Sequence, residues 1–171
     1  MRHISYSLVC VVLLSLGIIS CTPKFIKKLE NQKVTSPSSQ VEIDQNLIID
    51  HLIANELDYQ KTDSGIFYTI TQEGKGGQPQ SHSIVKAHYK GTLLNGKQFD
   101  SSYDRGEPLK FRLGQVIKGW QEAIQMLSVG SKGTFLIPSH LAYGKRQMGE
   151  MIPANSILQF EIELVEFITP E

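Results

Sequence analysis

The chain changes its hydrophobic rhythm several times, and each rhythm predicts a different element. Leu8 to Ile19 is a nearly unbroken apolar run behind Arg2 and His3. It is short for a permanent membrane helix, which needs about 20 apolar residues, and matches the hydrophobic region of an export signal. Residues 22–40 hold Pro23, Pro37 and a stretch rich in Ser, Thr, Gln and Asn, with few apolar side chains to bury. They read as a flexible linker. Across 42–58 the spacing turns helical: Ile43, Leu47, Ile48, His51, Leu52 and Leu57 fall largely along one face, no Pro or Gly intervenes, and Asp44 is placed to cap the start. Such a helix would dock on the following domain or join two chains.

From Ile66 the period shortens to two. Ile66 to Ile70 is a β-rich run ended by Gly74, Gly76 and Gly77. Val85, Ala87 and Tyr89 alternate with Lys86, His88 and Lys90, giving one buried and one wet face. Asn95-Gly96 is a hairpin signal before Phe99. Lys110–Leu113 reads as a further strand. Residues 119–128 give the only helix expected in this region, with Trp120, Ala123, Ile124 and Leu127 on its inner face. Lys132–Ile137 and Ile157–Phe167 complete the strands. In the last, Leu158, Phe160, Ile162 and Leu164 point one way, then the apolar phase shifts to Val165 and Phe167, which implies a bulge or a wrap at the end. The sum is an α+β domain: an antiparallel sheet wrapped around one short helix, preceded by an extra N-terminal helix.

Composition narrows the chemistry. Of 171 residues, 40% are hydrophobic and 20% charged, enough to build a core without a metal or disulfide staple. The 17 basic and 17 acidic residues cancel, so the basic excess usual for a nucleic-acid partner is missing. Both cysteines, Cys10 and Cys21, precede the folded part, which excludes an internal disulfide or a thiol nucleophile there. His51, His82, His88 and His140 form no ligand-spaced pair, and no metal site is expected.

Ile18-Ile19-Ser20-Cys21 resembles a bacterial lipobox. The resemblance implies a signal over 1–20, a diacylglyceryl group on Cys21 as the new N-terminus, a linker over 21–40 and attachment to the cell envelope. Thr22, rather than Asp, follows the cysteine, which favours the outer membrane, with the domain in the periplasm or at the surface. The rest divides into a helical segment, 41–63, and a domain, 64–171.

Within that domain short motifs recur in a fixed order: Ala87-His88-Tyr89-Lys90-Gly91, Phe99-Asp100-Ser101-Ser102, Val116-Ile117-Lys118-Gly119-Trp120 and Ala142-Tyr143-Gly144, with Phe111 and Phe160 at their places between and after. Taken singly, each aromatic is an ordinary core residue. In this order they resemble the FKBP-type peptidyl-prolyl isomerases over about residues 64–168. The resemblance implies one hydrophobic pocket for a proline ring, no cofactor, proline-containing polypeptides as partners and a macrolide as a further ligand. It makes Trp120 the floor, Tyr89, Phe99 and Phe160 the walls, and Val116, Ile117 and Ile152 the rim, with Phe111 and Leu109 also against the substrate. The Ile117 N–H and the Tyr143 hydroxyl correspond to donors to substrate carbonyls. Asp100 stands at the edge, paired and oriented by Arg105, and beside a guanidinium it stays ionised rather than serving as an acid. Tyr89, Phe99, Asp100, Trp120 and Tyr143 are the residues implied as catalytic.

Two departures bear on specificity. Leu109 stands where relatives often carry a second aromatic, and Lys145-Arg146-Gln147-Met148-Gly149-Glu150-Met151 replaces a loop often richer in Gly and Pro. They leave room for a binding module that holds unfolded chains with little turnover.

Overall fold

A computed structural model describes residues 23–170. The expected export signal over 1–20 and Cys21 lie outside them. Two helices come first, α1 (Lys24–Glu30) and α2 (Gln40–Ala54). Then follow β1 (Gln60–Lys61), β2 (Phe67–Gln72), β3 (Ile84–Leu93), β4 (Gln98–Ser101) and β5 (Leu109–Arg112). A 3-10 turn over Leu113–Gln115 leads into α3 (Lys118–Gln125) and β6 (Lys132–Ile137). A second 3-10 turn, Ser139–Leu141, precedes β7 (Leu158–Ile168).

All strand pairs are antiparallel, in the order β1-β2-β6-β7-β3-β4, and β5 also pairs with β3. The long pair β3–β7 is the spine. It sets Tyr89 opposite Ile162 and Gly91 opposite Phe160, and its register slips between Lys86 and Ala87, where Glu166 and Leu164 face them. That slip leaves Val165 as the extra residue of a bulge, the first of the two outcomes that the phase change in the sequence allows. β4 and β5 share one edge of β3, on Lys90–Thr92 and Ile84–Ala87. Residues far apart in the chain, Phe99 and Leu109, are thereby brought to one side of the spine.

The inner face of the sheet closes on α3. Trp120, Ala123, Ile124 and Leu127 pack there against Val85, Ala87, Tyr89, Phe135, Ile137 and the apolar stripe of β7. The helix approaches β6 closely: a Cβ built on Gly119 would stand 2.3 Å from Ile137 Cγ2.

The other face of β2 and β6 carries α1 and α2. Phe67 and Leu136 point outward, alternating with Ile66 and Phe135, and pack with Leu29, Ile48, Ile49, Leu52 and Ile157 into a second core. Three expectations are corrected here. The linker reading fails for Lys24–Glu30, because Ile26 and Leu29 are buried and the packing of Leu29 with Ile48, Ile49 and Leu52 of α2 stabilises a short helix. The second helix starts at Gln40 under a capping box, in which Ser39 Oγ accepts from the Glu42 N–H at 3.3 Å and Glu42 accepts from the Ser39 N–H at 3.0 Å. Asp44 is therefore not the cap; it is fully buried. The buried face is Asp44, Ile48, Ile49 and Leu52, whereas Ile43 and Leu47 are exposed and Leu57 lies beyond the helix end. Spacing alone did not separate the two apolar faces, since both Ile48 and Leu47 fit a helical stripe.

Gly119→Ala is expected to overpack the contact with Ile137 and lower stability by about 1–3 kcal/mol. The urea unfolding midpoint measures it; an unchanged midpoint would mean that α3 and β6 can part without cost.

Candidate functional site: a ring-lined cavity

Alternation along β3 and β7 sends Tyr89 and Phe160 to the inner face, and helical spacing sends Trp120 to meet them. The three rings pack largely edge to face. Trp120 lies 4.9 Å from Tyr89 at 83° and 5.2 Å from Phe160 at 81°, while Phe99 meets Phe160 at 5.6 Å and 85°. Such pairs favour positive ring edge on negative ring face. Gly91 makes the Phe99 contact possible, because a Cβ there would stand 2.6 Å from the Phe99 ring and 2.9 Å from Phe160.

Between these rings is a cavity of about 300 Å³, lined by Tyr89, Phe99, Asp100, Leu109, Gln115, Val116, Ile117, Trp120, Tyr143 and Phe160. That is the lower end of the range for small-molecule pockets. Trp120 Nε1 is buried with no hydrogen-bond partner, so the indole offers the cavity carbon rather than its N–H. Ile117 is the N-terminal cap of α3, and an N–H at that place has no acceptor within the helix. The Gln121 side chain donates to the Val116 carbonyl at 2.8 Å and holds the segment in place.

Polar groups gather beside Tyr89. Its hydroxyl donates to Asp100 Oδ2, and Arg105 reaches both, donating from Nη1 to Asp100 Oδ1 and from Nη2 to Tyr89 Oη at 2.9 Å. The guanidinium also sits 5.5 Å from the Tyr89 ring centre. Burial works to raise the Asp100 pKa, but the hydrogen bonds from Tyr89 and Arg105 and the guanidinium charge outweigh it and hold the carboxyl below its ordinary value. Burial, followed by the hydrogen bond to Asp100, raises the Tyr89 phenol. The signs are opposite. The Asp100 contribution to stability is present above the unfolded value of about 3.9 and fades as pH falls through the lower folded one. The Tyr89 contribution is present below about pH 10 and fades as pH rises through its higher folded value. The triad is intact in the wide window between.

The structure thus brings Tyr89, Phe99, Asp100, Leu109, Val116, Ile117, Trp120, Tyr143 and Phe160 to one cavity and sets Arg105 against its edge. Two expected members stand elsewhere. Phe111 is half-buried against Trp120, at 5.3 Å between ring centres, and backs the floor without lining the hollow. Ile152 is buried and forms an isolated bridge with Met148, closing the base of the 145–151 loop instead of the rim. Gln115 lines the cavity and was missed. A polar residue in a short turn carries no periodic signal, and only the fold shows which way it faces. Among the described residues no three His, Cys, Asp or Glu side chains converge closely enough to hold a metal ion.

An antiparallel sheet closed on one helix leaves an apolar, ring-walled hollow over Trp120. Comparison with known proteins makes this specific. Residues 75–165 match the family described as FKBP-type peptidyl-prolyl cis-trans isomerase, and the chain belongs to that family. It is 50% identical over 111 residues to the FKBP-type peptidyl-prolyl cis-trans isomerase FkpA of Aeromonas hydrophila, covering 65% of this chain and 41% of that protein. It is 51% identical over 104 residues to FK506-binding protein 1A of Neurospora crassa, covering 59% of this chain and 87% of that one. The crystal structure of FkpA from Escherichia coli superposes with a TM-score of 0.64 at 38% identity, over 82% of this chain and 63% of that one. The fold is therefore FKBP-like, and the sequence match spans less than half the length of the FkpA proteins.

Carboxyl-carbon NMR is expected to find Asp100 titrating below the ordinary value of about 3.9, and Arg105→Ala to move it back upward. An Asp100 that titrates at the ordinary value in the unaltered protein would remove the triad from the site.

Proposed function

We propose that the chain is a peptidyl-prolyl cis–trans isomerase that seats the proline of an X–Pro segment in the ring-lined cavity. The observation that carries this reading is the hollow itself, open over Trp120 and walled by Tyr89, Phe99 and Phe160. An X–Pro amide rotates over a barrier of about 18–20 kcal/mol, in tens to hundreds of seconds unaided. No bond breaks and no nucleophile is needed. Twisting localises the nitrogen lone pair and reduces charge separation in the amide, so an apolar site favours the twisted form relative to the planar form in water. In this reading Trp120 supports the pyrrolidine, and the Ile117 N–H and the Tyr143 hydroxyl donate to flanking carbonyls. The triad on Tyr89 keeps that wall upright. Asp100, held ionised, orients groups and transfers no proton. A macrolide that presents a similar ring competes for the same cavity.

The Cys21 motif supports a place for this activity: a lipid-anchored domain in a bacterial cell envelope, at the outer membrane, acting on exported chains during folding. Several buried acyl methylenes, at about 0.8 kcal/mol each, would hold it there.

Two measurements follow. The purified chain should accelerate isomerisation of a proline peptide. Tyr143→Phe, which removes one hydroxyl and keeps the ring, should lose about 1 kcal/mol, a fall of roughly fivefold in kcat/KM. A rate equal to the uncatalysed control, with unfolded clients still bound, would favour the holding module instead. Mass spectrometry of the mature N-terminus should show a diacylglyceryl-modified Cys21, and an unmodified cysteine there would remove the anchor.

A further inference from the structure

We propose that Asp44, on α2 and outside the isomerase domain, is a positioning residue for Tyr143. The proposal rests on the isomerase reading for its kinetic consequence, while its geometry stands alone. Asp44 is fully buried, and its carboxyl accepts three hydrogen bonds. Two come from Ser139, the N–H at 2.8 Å and the hydroxyl at 2.6 Å, and the third comes from Gln40 Nε2 at 2.7 Å. Ser139 begins the turn that carries Tyr143. Its own carbonyl accepts from the N–H groups of Ala142 at 3.0 Å and Gly144 at 2.8 Å, the two residues that flank Tyr143. One residue is thus held from α2 on its N–H side and holds both neighbours of the cavity tyrosine on its C=O side. The far end of the loop is tied separately, by Asn155 N–H to the Gly144 carbonyl at 2.7 Å.

This geometry is more than a staple for α2. The second core, with Ile48, Ile49 and Leu52 on Phe67 and Leu136, already fastens that helix to the sheet. A buried carboxyl is an expensive way to add to an apolar contact. Its donors are what it organises: left without Asp44, the Ser139 N–H and hydroxyl would be buried and unpaired. The turn would then relax toward other partners and carry the Tyr143 hydroxyl with it. Coupling of this kind is reciprocal, so a ligand held by Tyr143 also favours the docked α2.

The test is a double-mutant cycle in the full chain. Asp44→Ala, Tyr143→Phe and the double variant are compared in kcat/KM for a proline peptide, and in the Kd of that peptide read from the fluorescence of Trp120, the chain's single Trp. Alanine is used because asparagine would keep an oxygen able to accept both Ser139 bonds. A positioning role predicts that Asp44→Ala loses about fivefold in both, like Tyr143→Phe, and that the double variant loses no more than Tyr143→Phe alone. If Asp44→Ala keeps wild-type kcat/KM and Kd whatever happens to its Tm, or if the two losses multiply, Asp44 is only a structural tie and the proposal is overturned. Should Asp44→Ala fail to fold, Ser139→Ala, which deletes one of the two bonds and keeps the N–H, is put through the same cycle with the same criteria. A wild-type chain without turnover would sink the isomerase reading by itself, and the binding cycle would still decide the role of Asp44.

Discussion

The edge-to-face meeting of Tyr89, Trp120 and Phe160 is the contact on which the rest of the domain depends. Each such pair contributes about 0.5–1.5 kcal/mol beyond its buried area, so the cluster is a substantial part of the core between the β3–β7 spine and α3. Flat rings set at right angles do not fill space as branched aliphatic side chains do. The arrangement that closes the core also leaves a hollow with flat walls. Core and cavity are one object here: a change that collapsed the hollow would have to break the ring contacts that hold α3 to the sheet.

The polar triad is placed where it can hold a ring without disturbing that apolar interior. Asp100 and Arg105 are substantially exposed, with side-chain accessibilities of 41% and 43%, so an ion pair between them alone would add little stability. Its effect is on Tyr89. A phenol hydroxyl that donates to a carboxylate and accepts from a guanidinium has its direction fixed at both lone pair and proton. The ring below it is then held upright against Trp120. The charges sit at the wet end of a residue whose other end is dry, as amphipathic tyrosine allows.

Most of this was legible in the chain because period-two and period-3.6 patterns say which side chains share a face. The inner stripes of β3 and β7, the change of phase at Val165 and the inner face of α3 all follow from such patterns. The meeting of the rings required the ordered motifs. Alternation places Phe160 inward but does not say that Phe99, two strands away, reaches it across Gly91 of β3. The N-terminal segment was read less well, for a physical reason. α2 has apolar residues on two faces, and the polar residue that faces the core, Asp44, is the kind that pattern reading assigns to a cap or to solvent. Gln115 carries no signal in the sequence, and the direction of Ile152 is not legible there, because turns and loops have no period from which to read one.

Strand β6 explains why the N-terminal helices cannot be a passive appendage. An isolated helix of about 15 residues is marginal in water, so the 15-residue α2 depends on its docking. Its dock is Leu136, whose neighbours Phe135 and Ile137 belong to the domain core on the opposite face. The same strand then runs through Pro138 into Ser139, where α2 reaches it again through Asp44. One strand therefore bears the helix core on one side and the ring core on the other, and ends in the turn that presents Tyr143. Close-packed interiors transmit small shifts rather than absorb them. A displacement of α2 reaches the cavity by two routes, through the side chains of β6 and through the hydrogen bonds of the turn. The second route is the more specific, because it acts on one side of the hollow and leaves the ring cluster on the other side in place.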